Sequence, residues 1–350
     1  MSHRVAVLAG DGIGQEVVAA ARCVLDAVAE RGGFGFEWRE FDWGCDRFLR
    51  TGAMMPDDGP DQLAEHDAIF LGAVGNPEVA DHVSLWGLLI PIRRRFRQHV
   101  NYRPIRLFPG IEGPLRDATA DIDFVVVREN NEGEYSEIGG RIYHGLEEEI
   151  AIQESVFTRR GVRAVMEYAF GLAASRKGQL VSATKSNGIV HTMPFWDEIF
   201  AELAEAHGEV TTSQYHIDAL AAYFVQRPET LDVVVASNLF GDILSDLGAA
   251  VAGSIGIAPS ANLDPSRRNP SMFEPVHGSA PDIAGKGIAN PIGQIWSGAL
   301  MLEHLGQRDA ADAVMGAVAR VFAEGGPRTS DLGGTATTEE VTTAILARLP

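Results

Sequence analysis

Short apolar runs, each closed by a turn, recur along the chain. They are Arg4 to Ala9, Ala68 to Val74, Ile122 to Val127, Gln179 to Thr184 and Val233 to Ala236. Apolar runs of this length between turn signals suit strands buried on both faces. Helical patterning separates them, as at 15–30, where Val17, Val18, Ala21, Val24, Leu25 and Val28 make an apolar stripe. Strands alternating with helices predict a mostly parallel sheet in an α/β fold. With 350 residues, 45% of them apolar, the chain can bury a core for two domains or one large α/β unit.

The last of these runs leads into the most informative stretch. Val233 to Ala236 is followed by Ser237, Asn238 and a helix carrying Asp242 and Asp246. Residues four apart share a helix face, so two like charges meet there. The pair is either a solvated acidic face or a seat for a hard divalent cation, which prefers carboxylate oxygens. The apolar flanks Leu239, Phe240, Ile243, Leu244 and Leu247 favour the second reading.

Other segments end in chemistry-bearing residues. The first run enters Gly10-Asp11-Gly12-Ile13-Gly14, but the spacing is G-x-G-x-G, and no acidic residue closes a clear second strand about twenty residues on, so a dinucleotide-type turn is discounted. Arg93, Arg94, Arg95 and Arg97 form a basic segment in which Arg93 and Arg97 share a helix face, and Arg103 follows just before Pro104. It is either a solvated basic face or a carboxylate clamp, since guanidinium forks bind carboxylates bidentately. Arg128-Glu129-Asn130 ends a buried strand, a place where sites sit in open α/β sheets. Glu149 to Thr158 alternates like a half-exposed strand or dimer arm. Lys185 follows another strand as either a surface cation or a base, and Asp218 could serve only to cap the helix that follows it. Loops at 253–259, 273–285 and 289–291 are rich in Gly and Pro and long enough to be functional. Three helices are expected at 292–305, 309–323 and 339–349, the last started by a Thr337/Glu340 capping box.

Composition excludes some partners. Acidic residues outnumber basic ones 48 to 29, for a net charge of -19. That balance repels nucleic acid and anionic membranes, and an anionic substrate would need a local cationic pocket. Cys23 and Cys45 lack metal or redox spacing and fit a reducing, cytoplasmic setting, with Cys23 expected in the core of the first helix. The N-terminus lacks the apolar run of a signal peptide, and Leu247 to Pro259 is too short to span a bilayer.

The order and spacing of Gly10-Asp-Gly-Ile-Gly, Arg93…Arg103-Pro, Arg128-Glu-Asn…Tyr135, Lys185-Ser-Asn187, Asp218, Asn238-Leu-Phe-Gly-Asp242…Asp246, His277-Gly-Ser-Ala-Pro-Asp282…Asn290-Pro and Asp331-Leu-Gly-Gly-Thr resemble the β-decarboxylating dehydrogenases over essentially the whole chain. That family includes isocitrate, 3-isopropylmalate, homoisocitrate and tartrate/D-malate dehydrogenases. The resemblance implies a two-domain open α/β fold of the isopropylmalate dehydrogenase type, not Rossmann, with a shared sheet. Residues 1–98 plus 253–350 would form the large, cofactor-binding domain. Residues 99–252 would form the small domain, with an arm clasping an identical subunit in a dimer or tetramer.

It also implies roles. Asp242, Asp246 and a second subunit's Asp218 would hold Mg²⁺ or Mn²⁺, with K⁺ a further candidate ion. Lys185, also from that subunit, would be the base and Tyr135 the general acid. Arg93, Arg103 and Arg128 would fix the departing carboxylate. Ile13, Asn187, His277, Gly278, Ser279, Ala280, Asp282 and Asn290 would contact the cofactor, with Asp282 at the adenosine ribose selecting NAD over NADP.

For the substrate, Trp86 stands where isopropylmalate dehydrogenases carry a glutamate, and Gly87, Leu88 and Leu89 follow it. A bulky indole there would suit a small C4 diacid, and the Leu-Trp-Gly and Gly-Glu-Tyr-Ser patterns are most similar to tartrate/D-malate members. Those members usually carry Ser at the place of Leu88, which ranks D-malate above tartrate. 3-Isopropylmalate is the alternative, and a non-catalytic regulatory subunit of the same family a minor one.

Overall fold

The computed structural model describes residues 2–115 and 122–350. In chain order its strands are β1 Ser2–Gly10, β2 Gly35–Glu40, β3 Ala68–Ala73, β4 Val100–Arg106, β5 Asp123–Glu129, β6 Gly139–Ile142, β7 Ile150–Gln153, β8 Gln179–Thr184, β9 Thr211–His216, β10 Val233–Ala236, β11 Pro259–Leu263 and β12 Ser271–Pro275. Ten of them make one sheet in the order β2-β1-β3-β12-β11-β4-β5-β10-β8-β9. The outer four on each side are parallel. Three antiparallel pairings in the middle, β12–β11, β11–β4 and β4–β5, reverse the direction between the two blocks.

The central strands are apolar because both faces are covered. Val125, Val126, Val127, Val233, Val234 and Val235 are fully buried. The largest core gathers the stripe of helix Gly14–Gly32 with those of Arg159–Ser175, Thr192–Ala206, Ile292–His304 and Arg308–Ala323. A second core on Leu8, Ile69, Leu71, Leu88, Ile92 and Phe96 sits under the segment that carries Arg93.

Local signals explain several boundaries. Thr337 accepts from the Glu340 N–H while the Glu340 side chain accepts from the Thr337 N–H, completing the capping box of helix Thr338–Leu346. Ser237 caps helix Asn238–Val251, which carries Asp242 and Asp246. That helix lies close to β5 because residue 241 is Gly; a Cβ there would stand 2.6 Å from the Arg128 side chain.

Several expectations are corrected. A second strand does follow the first helix, and β2 ends on an acidic residue, Glu40, which is engaged by Arg22 at 2.5 Å. Its alternating exposure masked it, since β2 has few apolar residues. Cys23 is on the first helix but exposed, while Cys45 is buried. Arg97 does not share a helix face with Arg93: the helix stops at Arg95 and Arg97 takes a left-handed φ of 53°. The alternating stretch 149–158 yields only the strand Ile150–Gln153, hairpin-paired with β6, and Thr158 instead caps the next helix. This hairpin region exposes Ile138, Ile142, Tyr143, Leu146, Ile150 and Ile152. Among the described residues, no helix is long and apolar enough to cross a membrane.

Candidate active site

Asp242 is the centre of a charged cluster. Its Oδ1 accepts from Arg128 Nη1 at 2.5 Å and from Arg103 Nη1 at 3.2 Å. Its Oδ2 faces the Tyr135 hydroxyl at 3.4 Å. Asp246, one turn on and half exposed, lies 3.5 Å from Arg103. Burial opposes the charge on Asp242, but Arg128, Arg103 and Arg93 outweigh it and hold the carboxyl below its usual range. Asp246 is pushed the other way, by burial first, with the charge of Asp242 adding. Burial and the Asp242 charge also raise Tyr135.

A buried polar chain that the sequence did not announce holds these arginines. Arg103 Nε donates to Asn101 Oδ1 at 2.6 Å, and Asn101 Nδ2 donates to Asn262 Oδ1 at 2.9 Å. Asn262 Nδ2 donates to Glu274 Oε1 at 2.7 Å, and Arg93 Nη2 donates to that same oxygen at 2.8 Å. Asn101, Asn262 and Asn130 have no exposed surface. Polar residues at alternate positions of β4 and β11 were the available signal, because apolar side chains are the rule on central strands.

A cavity of about 270 Å³ opens above this cluster. Arg93, Arg103, Arg128, Tyr135, Asn238, Asp242 and Glu274 supply its polar wall; Leu85, Leu89 and Ile90 supply its apolar wall; Val276, His277 and Gly278 supply a third side. The third side continues into the long loop after β12. Ile13 N–H donates to the Ser279 carbonyl at 2.9 Å, and Glu16 accepts from the Gly285 and Gly287 N–H groups. His277 Nε2 is buried and lacks a hydrogen-bond partner among the described residues, and burial lowers the pKa of this imidazole. A Cβ at Gly278 would meet open space. Ser279 is buried, Ala280 takes a left-handed φ of 40°, Asp282 is exposed, and Asn290 donates to Asp331 at 3.0 Å.

Not every candidate converges. Lys185 Nζ donates to Asp218 Oδ1 at 2.6 Å, so the lysine has an anion beside it. This pair and the exposed Asn187 stand apart from the cavity wall of their own chain. Among the described residues of one chain, no three His, Cys, Asp or Glu side chains converge as a metal site. Trp86 also departs from expectation: it is not in the cavity wall, and Arg94 lies over its ring at 5.0 Å. Leu88 is fully buried in the second core. A single wide π turn at Leu85–Leu89 causes this, presenting Leu85 and Leu89 to the cavity instead.

Residues 4–345 match the family described as isocitrate/isopropylmalate dehydrogenase. The chain is 56% identical over 347 residues to a probable tartrate dehydrogenase/decarboxylase of Bacillus subtilis (strain 168), covering 99% of this chain and 97% of the relative. It is 56% identical over 351 residues to a D-malate dehydrogenase [decarboxylating] of Escherichia coli (strain K12), covering 98% and 97%. The crystal structure of isocitrate dehydrogenase from Methylococcus capsulatus superposes with a TM-score of 0.90 at 35% identity, covering 99% of each chain.

Proposed function

Because the chain belongs to the isocitrate/isopropylmalate dehydrogenase family, we propose that it catalyses the NAD-linked, divalent-metal-dependent oxidative decarboxylation of a small 2-hydroxy diacid, D-malate ahead of tartrate. It is an oxidoreductase of the decarboxylating kind, as its relatives' names state. The observation that carries the substrate class is the trio Arg93, Arg103 and Arg128 in the wall of one small cavity beside Asp242 and Tyr135. In a chain of charge -19, three buried arginines there mark a site for an anion. Arg93 Nε is buried without a partner among the described residues, a donor available to a carboxylate.

The donor set fits a hard divalent ion. Among the described residues Asp246 is ion-paired only with Arg103, and Asp242 Oδ2 has only the long hydrogen bond from Tyr135, so both carboxylates retain oxygens for Mg²⁺ or Mn²⁺. The third carboxylate, Asp218, and the base, Lys185, would come from a second copy of the chain, since they lie apart from the cavity of their own. The exposed apolar arm around β6 and β7 supports such a pairing. The halves on either side of the β11–β4 pairing would act as the two domains. The partnerless His277 Nε2, the open space at Gly278 and the braced 277–287 loop fit a dinucleotide, with Asp282 against its ribose, beside Ile13, Ser279, Ala280 and Asn290.

A divalent ion held by Asp242, Asp246 and the second copy's Asp218 would supply Lewis-acid polarisation of the C2 oxygen, and bound NAD would supply the acceptor for the C2 hydride. The chain's own residues do the rest. Arg93, Arg103 and Arg128 orient the carboxylate on C3. Lys185 accepts the C2 hydroxyl proton. The C3–carboxylate bond then breaks, and Tyr135 delivers its hydroxyl proton to C3. Burial first, and the Asp242 charge beside it second, raise the pKa of that phenol and so favour its protonated form.

A second reading is favoured by the cavity's apolar wall. Leu85, Leu89 and Ile90 would also accept an alkyl group on C3, as in 3-isopropylmalate, and Trp86 does not block them. Turnover of D-malate, L-malate, tartrate and 3-isopropylmalate, each with NAD and Mn²⁺, decides. D-malate is expected to give the highest kcat/KM; turnover of isopropylmalate alone would replace the reading, and turnover of none would end it.

A further inference from the structure

Trp86 and Arg94 stack on one another and are the chain neighbours of Leu85 and Arg93, which line the cavity. Arg94 lies over the Trp86 ring at 5.0 Å, donates from Nη1 to Glu137 Oε2 at 2.6 Å and from Nη2 to the Tyr135 carbonyl at 3.3 Å. It thus joins helix Ile90–Arg95 to the segment carrying the phenol. The neighbouring carbonyls of that segment are held by a different side chain: Gln153 Nε2 donates to Glu134 O at 3.3 Å and to Ser136 O at 2.7 Å. Of these three successive carbonyls, the middle one belongs to Tyr135, and Arg94 is its partner. A planar guanidinium is suited to this task because it can stack on an indole while two of its edges donate.

We propose that Arg94, braced by Trp86 and Glu137, is a positioning residue that sets where the Tyr135 hydroxyl delivers its proton, and that Trp86 acts through Arg94 without touching the diacid. The inference rests on the assignment of Tyr135 as general acid. The Tyr135 hydroxyl is 3.4 Å from Asp242, so a small shift of its backbone changes proton delivery while the arginines that bind the diacid stay in place.

The test uses the full-length enzyme with D-malate, NAD and Mn²⁺. Arg94→Ala is expected to lower kcat about tenfold, to leave the KM for the diacid within about twofold, and to enlarge the solvent deuterium isotope effect on kcat. The NADH dissociation constant should not move. Arg94→Lys, which keeps one donor contact, should recover part of kcat, and it serves alone if the alanine variant does not fold. Trp86→Phe should stay near wild type and Trp86→Leu should follow Arg94→Ala. A raised KM with unchanged kcat, or a kcat loss without a larger isotope effect, overturns the proposal. Full rate in Tyr135→Phe would sink the general-acid assignment itself, whereas full rate in Arg94→Ala beside an impaired Tyr135→Phe sinks only the positioning role.

Discussion

Asn101 accepts the Arg103 Nε–H at 2.6 Å, with both side chains on β4 and two residues apart. The amide therefore aims the guanidinium at Asp242 from behind. Asn101→Leu leaves that Nε–H without its acceptor in a buried site, a cost of about 1–3 kcal/mol. The expected result is a lower melting temperature together with a diacid KM raised about tenfold, because Arg103 loses its aim. A KM unchanged in the variant would mean that Asp242 and Ser245, whose hydroxyl oxygen accepts from Arg103 Nη1 at 2.6 Å, hold Arg103 without help.

Gly12 makes a second test, away from the charged cluster. It has φ of +54°, and a Cβ there would stand 2.1 Å from the Ser279 carbonyl. Gly12→Ala must push the 277–287 loop outward or abandon the left-handed turn, at a cost of roughly 1–3 kcal/mol. NADH affinity, followed by fluorescence titration, should fall about tenfold or more while the diacid contacts stay in place. Unaltered affinity would separate this turn from the nucleotide.

Glu129 gives a pH dependence. Burial pushes its carboxyl from 4.5 up to about 7, against the N–H groups of Asn131 and Glu132. The folded chain thus binds the proton more tightly than the unfolded chain. Stability from this group is complete below about 4.5 and declines as pH rises to about 7. Glu129→Gln should flatten that decline, so the variant gains on the wild type by up to a few kcal/mol between about pH 5 and pH 8. Thermal melts at the two pH values measure it, and a constant difference would show Glu129 ionised throughout.

Sharing of the site between copies can be tested by mixing. Lys185→Met and Asp242→Asn should each be inactive alone. A mixed dimer would contain one intact site, because Asp242 of the first variant meets Lys185 of the second. Refolding equal amounts together should restore about a quarter of wild-type activity, from random pairing into half mixed dimers with one working site each. No recovery, with mixed dimers demonstrated, would put both residues in one chain's site.

Much of the framework was legible. β8 and β10 run over the residues their apolar stretches span, and the capping box at Thr337 starts the last helix. What escaped was structure whose stabilisation is long-range. β2 is half exposed, and β11 and β12 carry Asn, Ser and Glu whose partners, Asn101 on β4 and Arg93 on the helix Ile90–Arg95 among them, are distant in sequence. The site was legible where residues share an element, as with Asp242 and Asp246. It was not legible at Trp86, because one wide turn shifts which side chains face inward, and no periodicity of 3.6 anticipates that.

The order β3-β12-β11-β4 brings residues near 260–275 back between β3, from the first hundred residues, and β4, which opens the stretch after it. Strands β4, β5, β8, β9 and β10, by contrast, come from one continuous stretch, 100–236. On a ribosome the inner stretch is therefore complete while β3 still lacks its neighbour, and the amino-terminal strands must wait, one edge bare, for a segment made much later.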